Sequence, residues 1–202
     1  IDVIPEYGGN LLQYYANRSQ ATTGASAGAP TGAASDAATG AAADNDSVRA
    51  ELLAVLPGSL TILASAEATD QDTYTVTRQT ADAYGLTSIA DLAGLGRTVI
   101  VAANSELSTR PYGPSGLKSA YGVDVKVEPV EDTGGQLTLN ALADGSVDAA
   151  NIPTSSRAFA DNDLVVLEDP KGLILPENVT PLVSASLPAI AVTAINRVSA
   201  LL

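Results

Sequence analysis

Apolar positions recur along this chain with two periods that take turns, one suited to strands and one to helices. Thr73 to Thr77 (TYTVT) alternates with period two and is rich in β-formers, and Leu60 to Ala64 is a short apolar run, so both predict strands. Ahead of them, Leu52, Leu53, Val55 and Leu56 form a helical stripe that Ser47 opens as a cap and Pro57-Gly58 closes. A further helix ends at Tyr84 with Gly85 past its last turn. Ser88 and Asp91 have the spacing of a capping box and open a short helix before a strand over Thr98 to Ala102. Helix and strand then alternate: Leu117 to Tyr121 and Val123 to Val127, then Gln136 to Ala143 and Val147 to Ile152. Leu164 to Leu167 predicts another strand, and Leu187 to Leu202 a final amphipathic helix. Such alternation predicts an α/β fold with a mostly parallel sheet and helices on both faces.

One stretch has neither period. From Ser19 to Asn45 the residues are almost all Ala, Gly, Ser, Thr and Asp, with no large apolar side chain, so the expectation is a flexible surface insertion. The expected division is therefore an entry segment at 1–18, the insertion at 19–45, an α/β lobe over 46–182 and a C-terminal helix over 183–202.

Composition narrows the chemistry. The 202 residues suffice for one full α/β domain, or for one large lobe and pieces of a second. Ten basic against 23 acidic residues give a net charge of -13, which repels phosphate backbones and anionic lipid surfaces, so nucleic acid is not an expected partner. No histidine and no cysteine occur, which removes the commonest general base, the commonest zinc ligand and any disulfide. Lys118, Lys126 and Lys171 stand beside no obvious nucleophile. The acid pairs Glu131-Asp132 and Glu168-Asp169 suit solvated turns, though two acids within about 5 to 9.5 Å in one pocket would reopen an enzymatic reading. The expectation is a protein without catalytic residues, metal or cofactor. The chain starts at Ile1 and reads as a fragment, with any signal peptide or lipid-anchor cysteine lying upstream.

The tyrosines are the unusual feature: seven, against one phenylalanine and no tryptophan. A phenol offers a π face to a cation and keeps a polar hydroxyl. Tyr84 and Tyr121 each precede a glycine at a predicted helix end, and Tyr14 and Tyr15 lie beside Leu11 and Leu12, where core packing explains them. Tyr7 follows Pro5-Glu6 in a turn-like entry and Tyr74 lies within a strand two residues after Asp72, and for these two a ligand role stays open beside a structural one.

Ile1 to Leu12 (IDVIPEYGGNLL) resembles the segment with which binding proteins of quaternary-amine ABC importers enter their second lobe. Collinear matches follow at Asp72-Thr73-Tyr74, Tyr84 to Leu92, Arg110 ahead of Gly116-Leu117 and Tyr121-Gly122, Leu142 to Asp148, Asp163 to Pro170 and Asn178 to Val183. The resemblance implies a periplasmic-binding-protein-like fold of type II, here the second lobe with the first largely missing, and a ligand caught in an interlobe cleft. It further implies Tyr7 and Tyr74 as walls of an aromatic box around a trimethylammonium group, Asn10 near the ligand's polar end, and Arg110 on a ligand carboxylate. A guanidinium makes two parallel bonds to such a carboxylate, which an ammonium cannot. The sequence departs from the pattern where two further box tyrosines are expected, with Pro153 ahead of Thr154 and Glu177 ahead of Asn178. Thr154 and Glu177 are carried as ligand contacts at those points, Glu177 as a direct charge on the cation. The expected partners are a small quaternary amine such as glycine betaine, choline or carnitine and a membrane permease. The expected protein is a monomer, extracytoplasmic, either periplasmic or lipid-anchored at the outer face of the cell membrane. The alternative is a binding protein or sensory domain of the same fold for a different small polar or aromatic solute.

Overall fold

The computed structural model describes residues 2–23 and 44–202. In chain order it contains β1 (Val3–Tyr7), α1 (Gly8–Thr23), α2 (Asn45–Val55), β2 (Leu60–Ile62), β3 (Asp72–Thr77) and α3 (Arg78–Tyr84). A 3-10 helix (Ile89–Leu95) leads to β4 (Val99–Ala103), and a second (Ser105–Thr109) to α4 (Pro114–Tyr121). There follow β5 (Val125–Pro129), α5 (Gln136–Ala143), β6 (Ala149–Pro153), α6 (Ala158–Asp161), β7 (Leu164–Val166), β8 (Val179–Ser184) and α7 (Ala189–Ser199).

The chain forms two compact units, one of residues 2–23, 44–71 and 175–202, the other of 72–174. The division at Asp72 differs from the expected start of a lobe at 46, because α2 and β2 pack with α1 and β8. Helix α1 also continues to Thr23, into the expected insertion, and α2 begins at Asn45; the remainder of that stretch lies outside the described residues. The cap of α2 is Asp44 and not Ser47, which is its reciprocal partner: the Ser47 amide donates to the Asp44 carboxylate at 2.8 Å, and the Asp44 amide to the Ser47 hydroxyl at 3.0 Å.

In the first unit β8 lies between β1 and β2, antiparallel to both, with Tyr7 opposite Val179. Leu11, Leu12, Val48, Leu52, Ile62 and Leu182 bury together as its core. Each such side chain contributes about 1.5–3 kcal/mol when fully buried, so the helical stripe of α2 holds to this sheet mainly through Val48 and Leu52. Tyr14 points out of that core and is exposed, contrary to its expected packing.

The second unit is built on one sheet of order β5-β4-β6-β3-β7 among the described residues. Its β5, β4 and β6 are parallel, joined through α4 and α5 as crossover connections require. Strand β3 is inserted antiparallel between β6 and β7, so the sheet is mixed and its parallel part is confined to three strands. Both faces are covered, as the residues of β4 show by alternating: Val99, Val101 and Ala103 join one cluster with Leu92 and Leu117, Ile100 and Ala102 another with Leu142 and Ile152.

Candidate functional site

The carboxyl ends of the parallel strands carry short polar segments, where open α/β sheets place their ligands. Asn104 directly follows β4, Thr133 lies four residues after β5, and Asn151 belongs to β6. Asp72, the first residue of the reversed β3, reaches the same end because it pairs with Pro153 at the close of β6. With Glu106, Leu107, Arg110 and Tyr112 these residues line a pocket of about 190 Å³ inside the second unit.

The loop bearing Arg110 and Tyr112 is folded tightly on itself. A Cβ on Gly113 would lie 2.0 Å from the Leu107 carbonyl oxygen, so only glycine lets the chain turn there and bring Tyr112 beneath the pocket. The Tyr112 hydroxyl donates to Asp72 Oδ2 at 2.6 Å, and the Tyr112 carbonyl accepts the Tyr74 hydroxyl at 2.7 Å. Two tyrosines thus fix one carboxylate in place. Across the pocket Asn104 and Thr133 are joined reciprocally, the amide Nδ2 donating to the Thr133 hydroxyl at 3.2 Å and the Thr133 N–H to Asn104 Oδ1 at 3.3 Å. Thr133 has φ 52°, a left-handed conformation that a β-branched residue holds at a cost of about 1–3 kcal/mol, and such strain gathers where a site must be shaped.

Arg110 lines the pocket, and its guanidinium donates to Glu106 Oε2 at 2.8 Å. Tyr74 occupies another place than the one expected of a box wall. It is fully buried, with 0% exposure, among Val76, Val101 and Leu117, and burial together with the charges of Asp72 and Asp169 pushes its hydroxyl pKa up. Its ring packs the core of the second unit and its hydroxyl orients Tyr112. Thr154 is exposed on the turn after β6, outside the pocket lining; the residue of that neighbourhood that lines it is Asn151.

Three expected residues belong to the first unit. Tyr7 ends β1 and is 37% exposed, and its hydroxyl donates to Asp70 Oδ2 at 3.1 Å; partial burial, then that bond, raise its pKa. Asn10 lies in the first turn of α1, and its amide donates to Glu177 Oε2 at 3.1 Å. Glu177 is only 2% exposed. The segment before β8 runs across the start of α1 so closely that a Cβ on Gly9 would lie 2.7 Å from Leu175 Cβ. From there it accepts the first amides of the helix: Gly8 N–H to the Asn178 carbonyl at 3.2 Å, Gly9 N–H to the Pro176 carbonyl at 3.0 Å, and Asn10 N–H to Glu177. Glu177 is a helix cap whose charge also suits the positive end of the helix dipole.

The acid pairs hold loops. Glu131 accepts the Ser105 amide at 2.9 Å, and Asp132 caps α5 by accepting the Leu137 amide at 2.7 Å and the Thr138 hydroxyl at 2.6 Å. Asp169 accepts the Tyr121 hydroxyl and the Ile174 amide. Sequence reasoning missed Tyr112, Asn104, Thr133 and Asn151. The first carried no motif, but Asn104 and Thr133 stand just past predicted parallel strands, and that position was the available signal.

A family model described as the substrate-binding domain of ABC-type glycine betaine transport systems matches residues 1–201. No curated protein matches the sequence. Among solved structures, a glycine betaine/carnitine/choline ABC transporter aligns with a TM-score of 0.62 at 20% identity, over 98% of this chain and 65% of that one. Apo YehZ from Escherichia coli aligns with a TM-score of 0.56 at 23% identity, over 100% of this chain and 70% of that one. An ancestral cationic amino acid solute-binding protein aligns at 0.50 and 16% identity, over 70% and 55%. The fold is that of the type II periplasmic binding proteins. The chain spans 65% of the length of the first of these structures.

Proposed function

Because the chain belongs to the substrate-binding domains of ABC-type glycine betaine transport systems, we propose that it grips the solute for an extracytoplasmic binding protein serving a membrane permease. The solute class is a quaternary amine of the glycine betaine, choline or carnitine type. The observation that carries this reading is the pocket at the carboxyl ends of β4 and β6, where Asp72 is held by Tyr112 and Arg110 stands opposite in charge.

A quaternary ammonium has no N–H to donate, so it is recognised through shape, dispersion, carboxylate charge and π faces. In this proposal Asp72 supplies the charge within the second unit. Tyr7 and Asn10 within the first unit and Thr154 within the second are proposed as ligand contacts, each in its own unit, a cation–π contact being worth about 0.5–1 kcal/mol at an exposed ring. Binding is passive, and transport is driven by a separate ATPase that acts on the permease. Calorimetric titration of the full-length protein with glycine betaine, choline and carnitine tests the reading. Saturable heat with at least one of them at millimolar concentration or below is expected; none with all three refutes it.

A second reading, a receptor or sensory module of the same fold for another small polar solute, draws on the burial of Tyr74 and the hydrogen-bonding character of the pocket. Silence toward all three amines, with binding of an uncharged polar solute, would favour it.

A further inference from the structure

Resting on the solute-binding reading above, we infer that the pocket of the second unit selects a net-positive quaternary ammonium bearing a hydroxyl, as in choline, over a zwitterion such as glycine betaine.

The charges of the lining argue this first. Asp72 and Glu106 are carboxylates, and Arg110 is the lining's single cation. That guanidinium is engaged at 2.8 Å by Glu106, four residues before it. A ligand carboxylate therefore meets a guanidinium whose charge Glu106 already offsets, and then lies close to two anions. The pair is partly solvated, the side chains being 35% and 73% exposed, so the bridge itself is weak. The compensation of charge does not depend on its rigidity.

Asp72 is in the opposite position. No arginine or lysine among the described residues forms an ion pair with it. Its side chain accepts a neutral hydroxyl, that of Tyr112, whose backbone is anchored in turn by Tyr74. A carboxylate oriented in advance by a buried chain of two tyrosines gives a cation a fixed counter-charge, and it accepts an O–H as well. Tyr112 is 1% exposed, so the pocket meets its ligand with polar groups and not with a ring face. Asn104, Thr133 and Asn151 complete that wall. A hydroxyl finds partners here; a fully methylated zwitterion has no donor to offer.

The test compares choline and glycine betaine by calorimetry in the full-length wild type, D72N and E106Q. The wild type is expected to bind choline about tenfold tighter or more, the scale of one hydrogen bond to a charged group. Asp72→Asn removes most of that preference. Glu106→Gln, at an exposed side chain that does not endanger folding, raises glycine betaine affinity about two- to fivefold by freeing Arg110 and leaves choline no tighter. Glycine betaine bound as tightly as choline by the wild type overturns the charge selection while the solute reading stands. So does a preference that survives in folded D72N, or a glycine betaine affinity unmoved in E106Q. Absence of binding for both ligands and carnitine overturns the solute reading, and the selection with it.

Discussion

Glu177 shows how far a residue's neighbours decide its role. By sequence it stands where a ring is expected and offers a charge for a cation; in the structure its carboxylate accepts the Asn10 amide in the first turn of α1. Glu177→Ala is expected to lower unfolding stability by about 2 kcal/mol, since a buried hydrogen bond to a charged group and a dipole contact vanish together. Urea denaturation measures it, and an unchanged midpoint would return Glu177 to the ligand. Tyr74 carries a parallel expectation. Tyr74→Phe keeps the packed ring but leaves the buried Tyr112 carbonyl without its hydroxyl donor, at a cost of about 1–3 kcal/mol. Neither role was legible beforehand, because both depend on which distant segment crosses which helix or strand. The polar character of Asp72 and Arg110 was legible; their partners Tyr112 and Glu106 were not singled out, since a tyrosine inside a Pro-Tyr-Gly turn carries no periodic signal.

At the scale of elements, local chemistry was read well. The capping box at Ser88 and Asp91 is present, and Gly122 ends α4 with φ 73°. The amides of Thr87 and Ser88 donate to Asp91 at 2.9 and 2.8 Å and draw its pKa down from 3.8 to about 2. A carboxylate with a depressed pKa stabilises the fold fully above its ordinary value and loses that contribution as pH falls through the lowered one. Asp91→Ala should therefore cost about 0.5–1 kcal/mol at neutral pH, discounted for solvent screening. The difference from wild type should shrink below pH 3.8 and vanish only as pH falls below 2, as pH-dependent melts would show. A difference that persisted well below pH 2 would mean that packing, and not the charge, is responsible. Two strands are not legible in the pattern: β1, whose Pro5 interrupts alternation yet sits opposite Pro181 in an antiparallel pair at the sheet's edge, and β8, which Pro181 likewise breaks.

For the whole molecule, alternation of strand and helix announced the α/β class, and the covered faces of the second unit's sheet agree with it. Strand order was beyond it: nothing in the period of TYTVT says that this strand is reversed between β6 and β7. The boundary near Asp72 was equally hidden, because the first unit gathers segments from three parts of the chain. The central claim is that the pocket at the carboxyl ends of β4 and β6 takes the cationic solute. Amide chemical-shift mapping of the labelled full-length protein, titrated with choline, tests it most directly. Saturable shifts centred on Asp72, Asn104, Thr133 and Asn151 are predicted. Saturable shifts that leave those four amides unmoved would contradict the account.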